Sequence, residues 1–256
     1  MTTAVVTGAA RGMGRDCVEM LRDVADEIVV VDLHAPDIAG TTGISCDVSS
    51  FDDVARLAAE VGKLGPLRAL VHAAGISPTM ADPRRVFEVD LVGTKHLLDV
   101  FEPLVTAGTA AVCFSSSAAY QVAPFVDPAM DVMLDDPTAS DFLDRITEVV
   151  TDSGFAYSLA KRGVIRAVGR AAVGWGARGG RVNSVAPGLI DTPMGRQEFE
   201  QQPIMQTMLE RTPLHRLGQP FEVSALVGFL ISDSASFISG IDVLVDGGMT
   251  QGMADG

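Results

Sequence analysis

Tyr157 and Lys161 stand four positions apart in Tyr157-Ser158-Leu159-Ala160-Lys161. On a helix that spacing puts both side chains on one face, with the ammonium beside the phenol. The chain holds only two tyrosines and three lysines, so chance produces such a pair with a probability of ~0.02. A phenol with a pKa of about 10 is a poor base at neutral pH, and lowering it by about three units takes ~4 kcal/mol. One cation at ~4 Å in an effective dielectric of about 20 supplies roughly that amount. The pair is therefore suited to proton transfer, with Tyr157 as donor or acceptor.

A second candidate site lies near the N-terminus. An apolar run ends in Thr7-Gly8-Ala9-Ala10-Arg11-Gly12-Met13-Gly14, and an amphipathic segment follows. A glycine-rich turn between strand and helix lets the backbone approach a pyrophosphate, whose charge meets the free N–H groups of the helix start. The next apolar run, Ile28-Val29-Val30-Val31, ends in Asp32. A carboxylate there accepts the ribose hydroxyls of NAD and repels the 2′-phosphate of NADP. Arg11 is the counter-signal, since it could pair with that phosphate. The strand-tip carboxylate lies closer to the 2′ position, so NAD is expected over NADP.

These residues need a scaffold of alternating strands and helices. Short β-branched runs alternate with longer amphipathic segments, which predicts an α/β, Rossmann-type doubly wound parallel sheet with helices on both faces. Strands are expected near Ala4–Thr7, Ile28–Asp32, Gly43–Cys46, Ala69–His72, Ala110–Ser115, Arg181–Val185 and Val243–Val245. Helices are expected at Gly12–Asp23, Phe51–Gly62, Pro83–Phe101, Phe155–Trp175 and Pro220–Ile231. No repeat or linker divides the chain, so residues 1–256 read as a single domain. The stretch Gln121–Asp152 holds eight acids and one base, half of the formal net charge of -14. Within it Phe142, Ile146 and Val149–Val150 recur at helical spacing, which predicts a short amphipathic helix in an acidic surface insertion at about 121–152.

With these motifs in order, the sequence resembles the short-chain dehydrogenase/reductase family over essentially its whole length. Further matching pieces are Asp47-Val48, Ala73-Ala74-Gly75, Ser115-Ser116-Ser117, Asn183-Ser184-Val185-Ala186-Pro187-Gly188 with Ile190 and Thr192, and Asp246-Gly247-Gly248. The resemblance implies an NAD(H)-dependent oxidoreductase that acts on a secondary alcohol or ketone. It implies that Gly8, Arg11, Gly12, Met13 and Gly14 cradle the pyrophosphate, that Asp47 and Val48 flank the adenine, and that Ala74 and Gly75 line the cleft. Pro187, Ile190 and Thr192 would hold the nicotinamide carboxamide and Lys161 its ribose, with Gly188 among the cofactor-binding residues. The catalytic serine is expected to be Ser117, three residues before Tyr120. Ser116 is the alternative, because the serine run leaves the register open.

Several departures narrow the resemblance. Ser117 and Tyr157 are separated by the long acidic insertion, the crossover after Asp32 is short, and His72 precedes Ala73-Ala74-Gly75. Together these features resemble the bacterial 3α-hydroxysteroid dehydrogenase/carbonyl reductase branch. The helix after the insertion forms a common dimer contact in the family, so the insertion is expected to alter or reduce a homo-oligomer, with a dimer as one outcome. Asp90 stands where the family carries an asparagine that holds a relay water. It is assigned to the relay, with a purely structural role as the alternative. His72 and Tyr120 are expected to be structural. Residues 194–216, rich in Met, Ile and Phe, correspond to the family's mobile substrate lid, and flexible thioethers suit a bulky apolar ligand. A steroid-like or terpenoid-like cyclic alcohol or ketone is the expected substrate. A 3-hydroxyacyl thioester, a small diketone, or a non-catalytic NAD-binding sensor are the alternatives.

Charge and composition exclude other classes. A formal charge of -14 and a pI of about 4.5 repel nucleic-acid phosphates and anionic lipid, so neither nucleic acid nor membrane is expected as a partner. No apolar run has the roughly 18 residues of a membrane span, and Met1-Thr2-Thr3 leads straight into a strand with no basic leader, so a cytoplasmic location is expected. Cys17, Cys46 and Cys113 lack metal or redox spacing and read as reduced thiols, so no metal site is expected.

Overall fold

The computed structural model describes residues 1–255. Seven parallel strands, β1 (Thr3–Thr7), β2 (Glu27–Asp32), β3 (Thr42–Ser45), β4 (Leu67–His72), β5 (Ala110–Phe114), β6 (Arg181–Pro187) and β7 (Asp242–Val245), form one sheet in the order β3-β2-β1-β4-β5-β6-β7. Its central strands are buried on both faces, which is why they read as unbroken Val/Ala runs. Alternation divides them between two cores. Val5, Val29 and Leu70 pack with Leu57, Val164 and Trp175 on one face, while Ala4, Val6 and Val30 pack with Val18, Val223 and Val227 on the other.

The helices are α1 (Gly12–Met20), α2 (Phe51–Leu64), α3 (Pro83–Phe87), α4 (Gly93–Phe101), α5 (Ala118–Val122), α6 (Pro128–Leu134), α7 (Phe142–Val149), α8 (Ser153–Ala177), α9 (Pro193–Gln201), α10 (Ile204–Glu210), α11 (Pro220–Ile231) and α12 (Met249–Ala254). The crossover between β2 and β3 contains no helix. Among the described residues no helix is long and apolar enough to cross a membrane.

Two expectations are corrected. The helix expected over Pro83–Phe101 is broken by a π-helical turn at Glu88–Val92, which carries Asp90. Such a turn adds a residue to the helical circuit and re-aims the side chains on it. The acidic stretch holds α6 as well as the expected α7, and it is less solvated than its composition suggests. Phe142, Ile146 and Val150 are buried against α8, while Val149 is 64% exposed. Asp131 pairs with Arg162 at 2.7 Å and Arg166 at 3.2 Å, and Asp135 pairs with Arg166 at 2.7 Å and with Arg170. All three arginines lie on α8, spaced four residues apart, outside the stretch whose charges were counted.

Candidate active site

β1 and β4 are neighbours at the point where strand order reverses, and a ligand crevice is expected there, outside the carboxyl ends of the strands. A cleft of about 620 Å³ occupies that position. It is lined at one end by the turn after β1, at the centre by Ala74, Gly75 and the β5 serines, and at the other end by α9 and α10. Every residue expected to touch cofactor lines it: Gly8, Arg11, Gly12, Met13, Gly14, Asp32, Asp47, Val48, Ala74, Gly75, Tyr157, Lys161, Pro187, Gly188, Ile190 and Thr192.

Close backbone packing explains the glycines. Gly8 has φ +69°, and a Cβ there would sit 2.6 Å from the Ala74 nitrogen. At Gly75 a Cβ would meet Asp90 Oδ1 at 2.6 Å and Lys161 Nζ at 3.1 Å, so this wall stays thin where it passes the ion pair. Asp32 is fixed at the end of β2 by N–H donors from Ala10 (3.0 Å) and Leu33 (2.9 Å). Burial pushes the Asp47 carboxyl up, but Ser49 and the Arg85 guanidinium at 2.9 Å hold it below its ordinary value. The Thr192 hydroxyl caps α9 by accepting from the Gly195 N–H at 3.0 Å.

Tyr157 and Lys161 project from one face of α8, whose N-terminus is capped by the Asp152 side chain. Lys161 is 5% exposed. Its Nζ lies 5.6 Å from the Tyr157 ring centroid, donates to the Phe114 carbonyl at 3.2 Å, and forms an ion pair with Asp90 Oδ1 at 3.2 Å. Asp90 is fully buried, and burial raises its pKa despite the lysine. Its Oδ1 accepts from the Ile76 N–H at 3.1 Å, and its Oδ2 has no protein partner. The Asp90 carbonyl accepts from Thr94, whose hydroxyl meets His72 Nε2 at 3.0 Å, while His72 Nδ1 meets Thr7 Oγ1 at 2.7 Å. Burial and then Lys161 push the imidazole down to about 3, so His72 is a neutral packing residue. Tyr120 is structural as well, donating to Asp242 at 2.7 Å.

The serine register lies between Ser117 and its alternative Ser116, and the charge balance at Tyr157 departs from expectation. Of the serines after β5, it is the Ser116 hydroxyl that lowers the pKa of the Tyr157 phenol. Ser117 is 3% exposed, and its N–H donates to the Pro187 carbonyl at 3.0 Å. Ser115 turns inward to Asp242 at 2.6 Å. Ser116 and Ser117 both line the cleft, and α5 begins directly after them. The surroundings of Tyr157 oppose the lysine charge expected to act on it. Burial raises its pKa, and the Glu198 and Asp90 carboxylates raise it further, while Ser116 lowers it. Asp90 balances the lysine charge that was expected to act on the phenol.

Glu198, on α9, is a cleft residue that sequence reasoning missed. It sits in the polar-looking segment Arg196-Gln197-Glu198-Phe199-Glu200, which reads as a solvated helix face. In the fold it is half-buried beside Ser77, and burial pushes its pKa up to about 7. Met205, Met208 and Leu209 of α10 line the cleft or pack with Met249 and Met253 of α12, so the expected lid is also packed against the body. Among the described residues no cluster of His, Cys, Asp and Glu is placed to hold a metal.

A glycine turn at the switch point, a tyrosine–lysine pair on one helix and a serine facing the phenol define an oxidoreductase site. Comparison with known proteins agrees. The sequence profile of the family described as Enoyl-(Acyl carrier protein) reductase matches residues 8–133 and 144–250, with a break inside the acidic stretch. A cis-4-hydroxycyclohexanecarboxylate dehydrogenase from Sinomonas cyclohexanicum is 34% identical over 273 residues, covering 96% of each chain. The 3-alpha-hydroxysteroid dehydrogenase/carbonyl reductase of Comamonas testosteroni is 27% identical over 254 residues, covering 97% of this chain and 96% of that one. The crystal structure of the 3-alpha-hydroxysteroid dehydrogenase from Pseudomonas sp. B-0831 complexed with NADH superposes with a TM-score of 0.83 at 30% identity, covering 100% of this chain and 99% of that one. The chain belongs to the short-chain dehydrogenase/reductase family and is an oxidoreductase.

Proposed function

We propose that this protein uses NAD(H) to interconvert a secondary alcohol and ketone on a bulky, cyclic, largely apolar substrate. The observation that carries the reading is the convergence of Tyr157, Lys161 and Ser116 at the centre of a cleft whose far end carries the glycine turn and Asp32. The residues fit a dinucleotide. Gly8 and Gly75 let the cleft's backbone pack where a Cβ would collide with Ala74 or with Asp90 and Lys161, and Asp32 presents a fixed carboxylate where an adenosine ribose would lie. That carboxylate favours NAD over NADP, because a 2′-phosphate there would meet like charge.

When bound, the nicotinamide supplies or accepts the hydride. Tyr157 moves the proton at its phenol oxygen. The Ser116 hydroxyl donates to the substrate oxygen and steadies the developing alkoxide. Lys161 holds the ribose side of the cleft, and Asp90 Oδ2 offers a free acceptor for a relay water. Arg11, Met13, Gly14, Asp47, Val48, Pro187, Ile190 and Thr192 shape the cofactor half. The apolar half, with Met194, Phe199, Met205 and Met208, suits a hydrophobic ring system, in keeping with the names of the steroid-active relatives. We read the protein as one cytoplasmic domain. Its α8 face is covered by α6 through the Asp131 and Asp135 pairs, which favours a dimer over a larger assembly.

The test is NADH formation from NAD⁺ with a panel of 3α-hydroxysteroids and cyclic terpenoid alcohols, beside the same panel with NADP⁺. Turnover with NAD⁺ on one of these classes supports the reading. One observation favours the non-catalytic alternative, namely that Asp90 pairs with Lys161 and that burial, then Glu198 and Asp90, raise the Tyr157 pKa. Tight NADH binding with no turnover across the panel would discard the steroid-like reading and move weight to another carbonyl substrate, such as a 3-hydroxyacyl thioester or small diketone, or to a binding-only role.

A further inference from the structure

The substrate half of the cleft has an uneven charge distribution. Of the charged side chains that line the cleft, Arg85 is paired with Asp47 and Lys161 with Asp90, while Arg11 and Asp32 lie at the opposite end, by the glycine turn and the tip of β2. Glu198 alone faces the substrate half, and among the described residues it has no salt-bridge partner. The same cleft is lined by the apolar side chains of Pro78, Met80, Met194, Phe199 and Met205. The Ser77 hydroxyl lowers the pKa of this carboxyl, and the Glu198 charge raises that of the Tyr157 phenol. Gln121 also lines this space, and its amide nitrogen has no protein partner. An amide can turn to present oxygen or nitrogen, so it is neutral toward the sign of the ligand.

A half-buried carboxyl without a countercharge is unfavourable in its ionised form, and the rise of its pKa to about 7 expresses that cost. A ligand cation would supply the missing partner. The net charge of -14 also gives the protein a field that draws cations in and turns anions away.

We propose that Glu198 is a specificity-determining residue that selects cyclic alcohols or ketones bearing a basic nitrogen, whose ammonium it pairs with across the cleft from Tyr157. This rests on the oxidoreductase reading above and narrows its substrate class from apolar rings to apolar rings with one amine. It also assigns Glu198 the rejection of substrates that carry a carboxylate at the same position.

The experiment uses three alcohols that share one ring, 1-methylpiperidin-4-ol, 4-methylcyclohexanol and 4-hydroxycyclohexanecarboxylate, with NAD⁺ at about pH 8, where the amine is protonated and Glu198 ionised. The preference is read as a ratio of kcat/KM values, so a general loss of activity in a variant cancels. Wild type is expected to favour the amine over the methyl compound by roughly tenfold and to use the carboxylate least. In Glu198→Gln that preference collapses to within about twofold, while Glu198→Asp retains part of it. Equal use of amine and methyl compound by wild type, or a preference that survives Glu198→Gln, overturns the assignment and leaves the oxidoreductase reading intact. If none of the alcohols is turned over, calorimetric titration of 1-methylpiperidin-4-ol into the protein–NADH complex decides the matter. Binding that is lost in Glu198→Gln upholds the ammonium site, while the absence of turnover counts only against these alcohols as substrates. No binding to wild type overturns the ammonium site.

Discussion

Replacing Asp90 by asparagine separates the two roles that the buried Asp90–Lys161 pair plays at Tyr157. The carboxylate lies 3.2 Å from Lys161 Nζ and is one of the groups that raise the Tyr157 pKa, after burial itself and Glu198. With Lys161 Nζ 5.6 Å from the tyrosine ring centroid, an unbalanced ammonium stabilises the phenolate by ~3 kcal/mol in an effective dielectric of about 20, or roughly two pK units. Asparagine keeps the size and the acceptor for the Ile76 N–H but removes the charge. The sign follows directly. Alcohol oxidation needs the phenolate, so the rate rises with pH through the tyrosine's pKa, and removing a neighbouring negative charge moves that rise to lower pH. We expect the acidic limb of the kcat/KM profile for alcohol oxidation to move down by about one to two pH units in Asp90→Asn. An unchanged profile would refute the claim that Asp90 balances the lysine charge felt by Tyr157. A shift to higher pH would reverse its sign.

Three further outcomes follow from the geometry. Ser116→Ala should lower kcat by about 10²-fold through loss of a donor to the substrate oxygen, whereas Ser117→Ala should change it by less than about threefold, and steady-state kinetics with the reverse order would restore the original register. Asp32→Asn removes the charge facing a ribose 2′ position and should raise the NADP⁺/NAD⁺ ratio of kcat/KM by about 10- to 100-fold, read from initial rates with each cofactor. The double change Asp131→Asn and Asp135→Asn leaves Arg162, Arg166 and Arg170 without their partly buried partners, so thermal denaturation should show a loss of about 1–3 kcal/mol. Light scattering on the same protein reads whether α6 was limiting assembly through α8.

The architecture was legible because its determinants are local. Alternation in runs such as Val5-Val6 and Val29-Val30 reports two buried faces, and all seven strands fall where that pattern puts them, within one or two residues at their ends. The tyrosine–lysine pair was legible because a helix fixes what four residues of spacing mean. The serine was harder, since three identical residues follow β5 and only the turn into α5 decides which one meets the phenol. Its strand offered a signal all the same. Ser115 and Ser117 are buried, whereas Ser116 between them is only partly so. The π-helical turn at Asp90 was hidden because Val86, Phe87, Leu97, Leu98 and Phe101 keep a helical rhythm on both sides of it. Glu198 and the acidic stretch share another cause. Their surroundings come from distant segments, and only the four-residue ladder of Arg162, Arg166 and Arg170 hinted that acids elsewhere had partners waiting on α8.

The central claim is that Tyr157 transfers the proton in an otherwise intact NAD(H) site. It is tested most directly by comparing wild type and Tyr157→Phe in two measurements on the same samples, NADH binding by fluorescence titration and NADH formation from a turned-over alcohol. The account predicts NADH affinity within about threefold of wild type and turnover reduced by at least ~10³-fold. Turnover retained in Tyr157→Phe would contradict it.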